Sequence, residues 1–93
     1  MLLNNKIKEN DVVTMRSISG EEIVAQVVSQ DSDIVMVKKP MTLVDTNGGY
    51  GLSQMTFTIS EDSVIPIFKH SLMLVTQTEE SMAAQYLNSF KKN

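Results

Sequence analysis

The sequence predicts a small all-β protein, a strongly bent antiparallel barrel of about five strands followed by a short C-terminal helix. Three observations carry that prediction. Runs rich in Val, Ile and Thr recur along the chain, several of them alternating apolar with polar positions. Turn chemistry separates the runs at Ser19-Gly20, Gln30–Asp33, Asn47-Gly48, Ser60–Ser63 and Lys69–Ser71. The apolar period changes from that of a strand to that of a helix only after residue 79.

Residues 1–11 form a mostly polar arm in which Leu2, Leu3 and Ile7 are the large apolar positions, ending at the turn-prone Asn10-Asp11. The barrel spans 12–76. Its first strand, Val12 to Ile18, puts Val13 and Met15 on one face and Thr14 and Arg16 on the other. Gly20 supplies the positive φ of the next turn. Ile23, Ala25 and Val27 then alternate with Val24, Gln26 and Val28. Ile34–Val37 is continuously apolar, the pattern of a strand buried on both faces.

Pro40 lacks a ladder donor, so a bulge or sharp bend belongs at Lys38-Lys39-Pro40. The strand continues through Met41–Val44 to Asn47-Gly48, where a type I′ hairpin turn is expected, with a return strand from Gly51 to about Ile59. Val64–Phe68 and Leu72–Val75 complete the strands. The helix is expected over 79–91. Thr76–Glu79 fits a capping box, Lys91 and Lys92 close the C-terminal end, and Met82, Ala83, Tyr86, Leu87 and Phe90 form one apolar stripe. The methionines at 15, 36, 41, 55 and 73 read as adaptable core.

Composition narrows the functional classes. A chain of 93 residues is one domain with a thin stability margin. It has no cysteine, hence no disulfide and no Cys-based metal site, and small domains without such staples gain stability by oligomerising. The net charge of −3 argues against a general nucleic-acid binder, which needs concentrated Lys and Arg. One histidine, no nucleophile motif and no paired carboxylates with an acid–base partner indicate a non-enzyme without a cofactor. Met1-Leu2-Leu3 is too short for a signal peptide, and the expected location is the cytoplasm. A barrel of this size leaves strand edges unpaired, which invites closure into a ring of copies.

Two segments bring the chain close to a known family. Val13–Gly20, Ile23, Ala25, Val27, Asp31 and Ile34–Lys38 follow the strand, turn glycine, apolar strand, loop aspartate and apolar strand of a first Sm motif. Ile67-Phe68-Lys69-His70-Ser71 is similar to the aromatic-Lys-His-small signature of a second Sm motif. The chain thus resembles the Sm-like (LSm/Hfq-type) family, whose fold is a five-stranded SH3-like barrel, and in its overall pattern the small Sm-like proteins of marine cyanophages. It departs from that family in four ways: Ala25 stands where a bend-permitting glycine is usual, Asp33 where a base-stacking aromatic is usual, the helix follows the strands where the family's precedes the first, and the central hairpin, with Pro40, Asn47-Gly48 and Ser60–Ser63, is longer.

The resemblance implies a homo-oligomeric ring of about five to seven copies, joined along Leu72, Met73, Leu74 and Val75. It implies single-stranded RNA at the pore face, contacted by Lys69, His70, Ser32 and Asp33, and the cytoplasm of a bacterium or of a phage-infected bacterial host. Asp31 would order its loop by accepting backbone hydrogen bonds. Asp31-Ser32-Asp33 lacks the further ligands of a calcium loop, so no metal is expected. Lys38, Lys39 and Arg16 read either as a second basic patch or as a solvated edge. Two other readings stay open: a structural or adaptor ring that binds protein, through the C-terminal helix among other surfaces, and a monomeric SH3-like module. No membrane association is expected.

Overall fold

The computed structural model describes residues 7–90, and the expectations for Leu2, Leu3, Lys91 and Lys92 lie outside them. The described chain is a bent, mostly antiparallel β-structure with one short C-terminal helix. Its strands are β1 (Val12–Ser17), β2 (Glu22–Gln30), β3 (Ile34–Thr46), β4 (Gly49–Gln54), β5 (Val64–Phe68) and β6 (Leu72–Gln77). A single 3₁₀ turn, Lys69–Ser71, joins β5 to β6, and the helix α1 is Glu80–Asn88. The sheet order is β4-β3-β2-β1-β6, with β5 also paired to β3. The structure has six strands where about five were expected, and β4 is the returning arm of the central hairpin.

Alternation explains the core. Val13 and Met15 of β1, Ile23, Ala25 and Val27 of β2, Val35 and Val37 of β3, and Leu72 and Val75 of β6 all point inward, with Ile65 and Ile67 of β5 packed against them. Each such Val or Met contributes about 1.5–3 kcal/mol by leaving water. Ile7 joins this cluster. It is held by Gln30 Nε2 donating to the Ile7 carbonyl at 3.3 Å and by the Asn10 N–H donating to the Val27 carbonyl at 2.7 Å. Of the methionines expected inside, Met15 is fully buried, whereas Met55 and Met73 are exposed.

The bend in β3 is a bulge. Gln26 pairs with Lys38 and Val24 with Met41, so Ala25 faces the extra residue. Lys39 takes it up at φ +54°, a left-handed conformation that side chains rarely adopt. The bulge also changes which residues of β3 face its neighbours. The Lys69 N–H donates to the Asp33 carbonyl at 2.8 Å, so by alternation Val35 and Val37 bond to Ile67 and Ile65 of β5. The Met55 N–H donates to the Pro40 carbonyl at 3.4 Å, so past the bulge the even residues Thr42, Val44 and Thr46 bond to β4. One residue inserted at Lys39 thus lets one strand serve two partners on the same side.

Two expectations need correction here. The return strand stops at Gln54 and does not reach Ile59, because the edge of β3 that would continue the ladder is occupied by β5. The hairpin turn is not type I′. Gly48 alone has positive φ (+100°) at its centre and Asn47 does not, so the strain falls on the residue without a side chain.

The helix also starts differently. Thr76 pairs with Thr14 inside the sheet, and the Thr78 N–H donates to the Val12 carbonyl at 3.0 Å, so neither is free to cap. Glu79 is the cap instead, its carboxylate accepting from the Ser81 and Met82 N–H groups at 3.1 and 3.0 Å. The helix lies over the β3 bulge. Tyr86 is fully buried and its hydroxyl donates to the Lys39 carbonyl at 2.6 Å, a group the bulge has turned away from the ladder. Phe90 meets the Tyr86 ring edge-on at 5.0 Å, and the Lys39 ammonium lies 5.0 Å from the Phe90 ring centre. Leu87 is left 43% exposed.

Candidate functional site

The two turns singled out in the sequence meet at one end of the barrel. In the β2–β3 turn, Asp31 Oδ1 accepts the N–H groups of Asp33 and Ile34, both at 2.8 Å. These two donors, with a smaller contribution from the Lys69 charge, hold the Asp31 carboxyl below its ordinary value of 3.8. Asp31 therefore performs the loop-ordering role expected of it. Across from it, the Lys69 N–H bonds the Asp33 carbonyl, Ser71 Oγ donates to the Phe68 carbonyl at 2.7 Å, and the Leu72 N–H caps Lys69.

The side chains proposed to meet RNA differ in their accessibility. Lys69 is buried, with 5% of its surface exposed, and its ammonium donates to the Asp31 carbonyl. Its charge ties the two turns together. His70, Ser32 and Asp33 are exposed. The His70 ring sits 5.8 Å from that of Phe68, which is itself 48% exposed. Of the other basic residues singled out in the sequence, Arg16 pairs with Glu22 at 3.3 Å and the Lys39 ammonium lies against the Phe90 ring. Among the described residues no group of three or more His, Cys, Asp or Glu side chains is placed to hold a metal ion. No helix among them is long and apolar enough to cross a membrane.

Depressed carboxyl pKa values have a defined signature. Glu79 is also held below its ordinary 4.5, chiefly by the Ser81 hydroxyl and then by the Met82 and Ser81 N–H groups. A carboxyl with a lowered folded pKa stabilises the fold above its unfolded pKa and loses that contribution as pH falls through the folded value. The expected melting temperature is therefore insensitive to these groups near neutral pH and falls as pH drops below the ordinary values of 4.5 and 3.8. Asp31→Asn and Glu79→Gln lower it near neutral pH and flatten the acid limb. Thermal melts between pH 7 and 2.5 check this.

The strands beside the turns carry unpaired edges, as expected of a barrel this size, and a groove that the sequence did not reveal. β5 and β6 do not pair with each other, and among the described residues each has a free edge. Since Ile65 and Ile67 bond to β3, the backbone groups of Val64, Pro66 and Phe68 point outward. Pro66 offers a carbonyl there but no N–H. On β6, Leu74 and Thr76 face β1, which turns Val75 and Gln77 outward. Of the four residues expected at the joining edge, Leu72 and Val75 have side chains in the core, Leu74 is half-buried and Met73 is 57% exposed. An open groove of about 320 Å³ borders this seam, with Ile18, Met55, Pro66, Ile67, Phe68 and Leu72 in its wall. Ile18, at 70% exposure, could have been flagged as an apolar residue beside a turn glycine. The groove depends on the fold and has no sequence signal.

No protein-family model matches the chain, and no curated protein matches it either.

Proposed function

We propose that the chain is a ring-forming Sm-like protein, closed head-to-tail by pairing β5 of one copy with β6 of the next, with the end bearing residues 31–33 and 69–71 as its working face. The observation that carries this reading is the pair of free edges beside one apolar groove. Outward N–H groups on β6 complement outward carbonyls on β5, and Pro66 removes one donor from that seam without removing an acceptor. Exposed Ile18 and Met73 would leave water on assembly. A ring of about five to seven copies follows from a heterologous contact whose rotation closes.

The ligand reading is single-stranded RNA, supported by the exposed Phe68–His70 ring pair, on which a base can stack. A second reading, a ring that binds protein, is favoured by the engagement of Lys69: the exposed side chains at these turns include Asp31 and Asp33 but not the one lysine. Titrating labelled oligo-U and oligo-A at several salt concentrations separates the two. Saturable binding at low salt that His70→Ala weakens supports RNA. Its absence rejects RNA, and recovery of one defined protein partner, lost on Leu87→Lys, then supports the adaptor reading.

A further inference from the structure

Among the described residues a third free edge lies on β4. The hairpin pairs Thr46 with Gly49, Val44 with Gly51 and Thr42 with Ser53, and these residues bond across the pair. Tyr50, Leu52 and Gln54 therefore turn their N–H and C=O groups outward, and β4 ends the sheet. Exposed edges are normally protected by charge, proline or a bulge. β4, Gly-Tyr-Gly-Leu-Ser-Gln, has no charge, no proline and no register shift.

We propose that this edge pairs with β4 of a second copy of the chain, antiparallel about a two-fold axis at Leu52. The occupant follows from self-complementarity. Centring on Leu52 sets Tyr50 against Gln54 of the second copy, Leu52 against Leu52, and Gln54 against Tyr50. Every outward group then meets its complement, about six hydrogen bonds in all. Other antiparallel registers leave outward groups of Tyr50 or Gln54 unmatched. Side chains agree with this register. Leu52 shares a face with its cross-strand partner Leu43, so the pairing joins two half-buried leucines from each copy into one apolar stripe. No charges oppose each other. Asp45 lies one strand back, opposite Tyr50, and its two copies fall at opposite ends of the joined sheet. This pairing is independent of the β5–β6 ring: it links two single copies or two rings.

The central Leu52 pair makes the proposal testable by charge. Leu52→Lys and Leu52→Glu each place like charges face to face across the axis while leaving the β3 ladder intact, because the Leu52 N–H points outward. Mass is measured by light scattering at one concentration, with circular dichroism confirming the fold of each variant. The expected result is a twofold fall in mass for each variant alone and recovery of the wild-type mass when the two are mixed. The factor of two is read whether the wild type is a pair of chains or a pair of rings, so failure of the ring reading leaves the test intact. Equal masses for wild type and folded variants, or a mixture that stays at the halved mass, overturn the proposal.

Discussion

Tyr86→Ala is expected to destabilise the protein by about 3–5 kcal/mol, the cost of removing a large buried aromatic. Tyr86→Phe is expected to cost about 1–3 kcal/mol by deleting the hydroxyl alone. The reason lies in the β3 bulge. Lys39 at φ +54° directs its carbonyl away from the ladder, and the Tyr86 hydroxyl is the donor that meets it. Burial raises the pKa of the phenol above its ordinary value of 10.0, so it stays protonated and able to donate across the accessible pH range. Tyr86 is also the one buried residue of the helix, so its loss is expected to release α1 from the barrel. Urea unfolding of the two variants, with helix content followed by circular dichroism, checks both effects. A Tyr86→Phe variant as stable as the wild type would place the hydroxyl bond at zero.

Lys69→Ala is expected to cost about 1.5–3 kcal/mol, the range for a hydrogen bond to a charged group. The ammonium bonds the Asp31 carbonyl from a buried position, and the side chain's stem packs between two turns. Removing it leaves that carbonyl without its donor and loosens the Asp31–Ile34 turn. This bears on how RNA experiments are read. Loss of binding in Lys69→Ala would follow from a disordered face as readily as from a lost phosphate contact, whereas His70→Ala leaves the turns in place. Denaturant unfolding of Lys69→Ala and His70→Ala in parallel should show a large change only for the first.

The barrel was legible because its determinants are local. Val13 and Met15, Ile23 to Val27, and Val35 and Val37 alternate or run together as a barrel interior requires, and each turn is marked by its own residues. Pro40 marked the bulge, although the residue that absorbs it is Lys39. The errors came from competition between strands. Nothing between residues 55 and 59 signals that β3 has no free edge left. Thr76 and Thr78 suit a helix cap, but the β1 ladder claims them first. At the candidate site, the turn role of Asp31 was legible because an Asx turn is local. The burial of Lys69 was not, since it depends on a partner 38 positions away. The β5–β6 groove and the outward-facing edges follow only from strand register.

The ring is the claim on which the rest of the functional reading stands, and the wild-type mass in solution tests it most directly. Light scattering across a wide concentration range should give a constant mass of about five to seven times the 10.4 kDa chain, or twice that where β4 edges join two rings. A mass of one chain, or of two chains and no more, would contradict the ring.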